Sequence, residues 1–96
     1  MRIVFSEEAD SDLLKIHAYL AERNVSATVS LANEFKQKFV NLARFPFIGR
    51  DRSSLSRGAR SVVADNYVIF YRVDRDALII LRILDGRRDI DAEFQR

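Results

Sequence analysis

The chain has 96 residues and a mass of 11.1 kDa, the size of one small domain spanning residues 1–96. With no cysteine and one histidine it lacks a disulfide scaffold, a thiolate zinc site, a cysteine nucleophile and a multi-histidine metal centre, and no cofactor is expected. Lys+Arg 16 against Asp+Glu 14 leaves a net charge of +2; no apolar run approaches the roughly 20 residues that span a bilayer and no signal-peptide core opens the chain, so a cytoplasmic protein is expected.

Residues 2–5 (RIVF) read as a short strand. Ser6 is placed as an N-cap, with Glu7, Glu8 and Asp10 in the first turn, where negative charge complements the helix dipole. Ala9, Leu13, Ile16 and Leu20 recur at helical spacing, which predicts a helix from Ser6 to Arg23 with Asn24 as its stop. Ser26 opens a second helix, whose stripe is Leu31, Phe35, Phe39 and Leu42 and whose end is Arg44, shortly before Pro46. Both stripes need a further layer to bury them. Phe45 to Arg60 is irregular, with Pro46, Gly49 and Gly58 among serines and arginines. Arg60–Ala64, Tyr67–Val73 and Ala77–Leu84 are rich in β-branched and aromatic residues and read as strands, the last two joined by a three-residue turn, Asp74-Arg75-Asp76. Strand, helix, helix, three strands is the order of an α+β domain: an N-terminal strand and a helical hairpin on a small, mostly antiparallel sheet.

A three-residue turn sets Val73 opposite Ala77. One face of the hairpin then holds Tyr67, Ile69, Tyr71, Val73, Ile79, Leu81 and Ile83, and suits the helices. The other holds Val68, Phe70, Arg72, Leu78, Ile80, Arg82 and Leu84. That second face is mostly apolar yet carries two arginines. It is expected to bind a protein partner, the competing expectation being that the C-terminal segment or a second copy covers it.

The ordered set EEADSDLLKI, LARFPFIGR, GARSVVADNYVIFYRV and LRILDGRRDI resembles the ParE branch of the RelE/ParE toxin superfamily, from Ile3 to about Phe94. The resemblance implies the toxin of a bacterial toxin–antitoxin pair, with a small, often ParD-like antitoxin whose flexible C-terminal half wraps it. ParE-type toxins act on DNA gyrase, whereas RelE-type toxins cut messenger RNA on the ribosome. The antitoxin is expected on Val68, Phe70, Arg72, Leu78, Ile80 and Arg82, and the target on Arg60, Arg87 and Arg88.

A ribonuclease needs a general base and cations around the scissile phosphate. Nuclease relatives carry a basic residue where this chain has Val68, and often a histidine or tyrosine near Ile83-Leu84-Asp85-Gly86. Arg60, Arg72, Arg82, Arg87 and Arg88 can bind phosphate, but no general base stands out. Asp85 would repel a phosphate unless paired. His17 lies in the first helix and reads as packed or solvated. A non-enzymatic gyrase inhibitor is therefore expected, with a ribosome-dependent endonuclease as the alternative. A free-standing, sequence-specific DNA binder is disfavoured by the low net charge and by the lack of an aromatic–basic stacking run. Tyr67 and Tyr71 read as core rings, Gly49 as a turn residue, Arg60 equally as a structural or a binding arginine, and Asp89 as the cap of a last short helix to Phe94. Pairing of Arg87 or Arg88 with Asp91 would account for part of the arginine cluster.

Overall fold

The computed structural model describes residues 1–95; Arg96 lies outside the described residues. The elements are β1 (Arg2–Phe5), α1 (Glu7–Ala21), α2 (Val25–Arg44), β2 (Arg50–Asp51), β3 (Arg60–Ala64), β4 (Tyr67–Asp74), β5 (Ala77–Asp85) and α3 (Ile90–Phe94). The sheet order is β1-β5-β4-β3-β2, with β1 parallel to β5 and the other pairs antiparallel. This is the expected α+β arrangement, enlarged by the two-residue edge strand β2.

Caps explain the helix boundaries. Ser6 Oγ accepts from the Ala9 N–H at 3.0 Å and starts α1. Asn24, expected as a stop, is instead the N-cap of α2: its Oδ1 accepts from the Ala27 N–H at 3.1 Å, displacing Ser26 from that role. Asp89 caps α3 through Ala92 N–H.

The hairpin register differs from expectation. Asp74 pairs with Ala77, so the turn is Arg75-Asp76 alone, with Arg75 in the left-handed region at φ 56°. Leu78 and Ile80 thereby move onto the helix face, where both are fully buried with Ile69, Tyr71, Leu31, Phe35 and Leu42. A bulge follows: Tyr71 pairs with Ile80 but Phe70 with Arg82, leaving Leu81 as the extra residue. The bulge turns Arg82 out of the apolar layer and brings Ile83 into it. Phe5, Phe39, Phe35 and Tyr67 continue the core as a row of ring contacts, with centroids 5.3–6.3 Å apart.

β1 ends opposite Ile80, and β5 runs on past it. α1 covers this bare edge. Ser6 Oγ donates to the Leu81 carbonyl at 2.8 Å, and Asp12 Oδ2 accepts from the Ile83 N–H at 2.9 Å. The opposite sheet face is capped by α3, whose Phe94 ring meets Phe70 edge-on at 4.9 Å, while the Arg52 guanidinium stands 5.5 Å from the same ring. The C-terminal segment thus covers much of the face that was expected to lie open.

Candidate functional site

The six residues expected to form one antitoxin-binding face do not share a face. Leu78 and Ile80 are in the helix-side core, and Phe70 is fully buried beneath Phe94. Arg82 is clamped by Asp12, Nε to Oδ2 at 2.9 Å and NH2 to Oδ1 at 3.0 Å, and also reaches Glu93 at 3.5 Å. These bonds to Asp12 hold its guanidinium charged, raising its pKa against the opposing effect of burial. Val68 and Arg72 stay half-buried at the surface. The shorter turn moves Leu78 and Ile80 off this face, while α3 and Asp12 cover Phe70 and Arg82 on it.

The three arginines expected to meet a target are also separated. Arg60 pairs with Tyr71 at one end of the sheet, while Asp85, just before Arg87, pairs with Tyr67 at the other. The offset is about 13 Å along the strands, at about 3.3 Å per residue. Arg60 holds a loop in place: its NH1 donates to the carbonyls of Phe47 at 3.1 Å and Gly49 at 3.0 Å.

Arg87 and Arg88 border a cleft of about 500 Å³ between α1 and the far ends of β4 and β5. Its floor is apolar, from Ile16, Leu20, Leu31 and Ile83, and Lys15, Tyr19 and Tyr67 stand around it. Arg87 grips Asp85 by two bonds, Nε to Oδ1 at 3.0 Å and NH2 to Oδ2 at 2.8 Å, and its own N–H donates to Oδ1 at 2.9 Å. These bonds hold the Asp85 pKa down at about 2. Arg88 pairs with Glu93 at 3.4 Å, so neither arginine takes the expected Asp91 partner. Burial, then the Asp85 charge, pushes the Tyr67 hydroxyl pKa up. The cleft therefore presents a paired carboxylate of low basicity and a protonated phenol at neutral pH. Lys15 and Tyr19 were missed as members of it. Their i, i+4 spacing puts them on one flank of α1, beside the apolar stripe that drew the reading. His17 is exposed on α1.

A second concavity, about 290 Å³, runs between α1 and α2 on their outer side. Leu13, Ile16, Leu20, Leu31 and Phe35 line it, and Leu14 stands at its lip with 71% of its surface exposed. Both stripes were expected to be wholly buried against the sheet. Instead Leu13, Ile16 and Leu20 are half-buried, because α1 spends its contact on the edge of β5.

The profile of the family described as "ParE toxin of type II toxin-antitoxin system, parDE" matches residues 3–90. Toxin ParE3 of Caulobacter vibrioides is 32% identical over 94 residues, covering 97% of this chain and 94% of that protein. A solved structure described as the chromosomal ParDE TA system from P. aeruginosa superposes with a TM-score of 0.69 at 21% identity, over 86% of this chain and 92% of that one, which agrees in fold.

Proposed function

Since this chain belongs to the ParE toxin family of type II toxin–antitoxin systems, we propose that it is a cytoplasmic, non-enzymatic inhibitor of DNA gyrase, neutralised by a ParD-like antitoxin. The observation that carries the non-enzymatic reading is the clamp of Arg87 on Asp85. A carboxylate whose pKa is about 2 is a poor general base at neutral pH, and the neighbouring Tyr67 hydroxyl holds its proton more tightly than usual. Inhibition by binding needs only a surface that favours one state of the target over another. The cleft bordered by Arg87 and Arg88 is one such contact.

The antitoxin's apolar anchors fit the α1–α2 groove, where half-buried Leu13, Ile16 and Leu20 gain burial when covered. A segment that orders as it wraps the toxin would also reach Val68 and Arg72 on the opposite face. Phe70, Leu78, Ile80 and Arg82 then support that contact from beneath, through the packing of the sheet.

Purified toxin should inhibit gyrase supercoiling and leave ribosome-bound messenger RNA intact. An Arg87→Glu, Arg88→Glu variant should lose more growth arrest than a Lys36→Glu, Lys38→Glu variant. Cleavage of messenger RNA on ribosomes with gyrase unaffected would overturn the reading in favour of an endonuclease of RelE type.

A further inference from the structure

The joint between α2 and β2 is apolar where a surface loop is ordinarily polar. Phe45, Phe47 and Ile48 are exposed at 51%, 63% and 56% of their surface, in a run interrupted only by half-buried Pro46. Exposed arginines flank the run, Arg44 before it and Arg50 after it. The Arg44 guanidinium lies 5.4 Å from the Phe45 ring, and that of Arg60 lies 5.3 Å from the Phe47 ring. Among the described residues neither Arg44 nor Arg50 has a carboxylate within ion-pair reach. The one acid next to them in sequence, Asp51, accepts from the Ser53 N–H at 2.8 Å. The patch extends onto α2, where Lys36 and exposed Val40 lead along one side of the helix to Arg44.

This loop is held rigidly. Tyr71, fully buried, presents its hydroxyl to the Gly49 N–H at 2.9 Å. Arg60 binds the carbonyls of Phe47 and Gly49, and the Ile48 N–H donates to the Phe45 carbonyl at 3.3 Å. A projecting segment fixed from below loses little freedom on binding. Aromatic residues and arginine are also the types enriched at the energetic centres of protein interfaces.

We propose that residues 44–50 are a preformed knob that enters an apolar pocket ringed by carboxylates on the toxin's folded protein target. Charge selects the acidic partner: among the described residues Arg44, Arg50 and Lys36 have no carboxylate within ion-pair reach, and the arginine forks suit carboxylates. Shape selects a folded one, because a flexible antitoxin segment fits the concave α1–α2 groove, whereas a rigid projection needs a preformed pocket. Nucleic acid fits less well. Phe45 and Phe47 offer rings for stacking, but Pro46, Ile48 and Val40 between and beside them make the patch more aliphatic than a base-stacking track, and the chain carries only +2. This inference rests on the toxin reading above for its target and adds a second contact, at the opposite end of the sheet from Arg87.

The test compares wild type with Phe47→Ser and with Arg44→Glu, Arg50→Glu in two readouts: growth arrest on induction and half-inhibition of gyrase supercoiling. Both variants change exposed side chains, so melting temperature and antitoxin affinity should match wild type. The expected result is a roughly 10–30-fold rise in the half-inhibitory concentration and a matching loss of growth arrest. Wild-type potency in both variants overturns the proposal, as does selective loss of antitoxin affinity, which assigns the loop to the antitoxin. Loss of single-stranded oligonucleotide binding with protein binding intact overturns it in favour of nucleic acid. If wild type arrests growth without inhibiting gyrase, the gyrase reading fails and growth arrest decides the loop: retained arrest in the variants overturns the knob, and lost arrest upholds it.

Discussion

Asp12 and Arg82, 70 residues apart in sequence, meet through both carboxylate oxygens, and the oxygen that binds Arg82 Nε also accepts the Ile83 N–H. One side chain on α1 thus neutralises a largely buried guanidinium and closes the bare edge of β5. Asp12→Ala would leave the Ile83 N–H without its acceptor and the largely buried Arg82 with only its longer contacts to Glu93. The expected loss of stability is about 3–5 kcal/mol, measured by urea unfolding. Adding Arg82→Met should restore part of it, because the poorly compensated buried charge is then gone. Equal stability of Asp12→Ala and wild type would show that water replaces the carboxylate at no cost.

Gly49 is required for close approach to Tyr71. A Cβ at this position would lie 2.7 Å from Tyr71 Cε1 and nearer still to the hydroxyl. Gly49→Ala should cost about 1–3 kcal/mol by overpacking. Tyr71→Phe should cost about 1–3 kcal/mol by leaving the Gly49 N–H without its acceptor. The double variant should lose less than the sum, since removing the hydroxyl relieves part of the clash. Strict additivity in thermal or chemical unfolding would contradict this contact.

The Asp85–Arg87 clamp predicts a pH signature. The Asp85 pKa is lowered in the fold from 3.8 to about 2, chiefly by the side-chain and backbone bonds from Arg87. A depressed carboxylate pKa contributes stability that is complete above the unfolded value and is lost as pH falls through the folded one. The contribution of Asp85 therefore fades between about pH 4 and pH 2. Carboxyl NMR titration should place its midpoint near 2 in wild type and higher in Arg87→Ala, where the backbone N–H bond alone remains. An unchanged midpoint in that variant would remove Arg87 as the cause.

Much of this architecture is legible before any coordinates. The helices announce themselves by period and by caps, since Ser6 followed by acids is a strong start signal, and the strands by β-branched and aromatic runs. The turn at Asp74–Ala77 was not legible, because it has no glycine or asparagine to mark which residue takes positive φ, and Arg75 does so. A single residue of turn length inverted the faces of the first half of β5, and the bulge at Leu81 inverted them again. That bulge is set by a tertiary partner, Asp12, hidden within a run of acids that a helix dipole already explains. At the cleft, Asp85 and Arg87 were recognised separately as an anomaly and a candidate, and their mutual bond needed the Gly86 turn between them. The Phe45–Ile48 loop was read as irregular chain, and an aromatic–basic run was expected to be missing. Its neighbours Arg60 and Tyr71 come from distant strands, so no local period marks it.

Strand β5, near one end of the chain, takes its partner β1 and its Ser6 contact from the other end. Ser6 and Leu81, joined by a hydrogen bond, lie 75 positions apart. Translation at roughly 5–20 residues per second separates their synthesis by about 4–15 s. Until β5 emerges, β1 has no ladder, Asp12 has no arginine, and the helices lack Leu78, Ile80 and Ile83 of the core. The sheet therefore closes only late in synthesis, so a binder already present in the cell can meet these surfaces as they form.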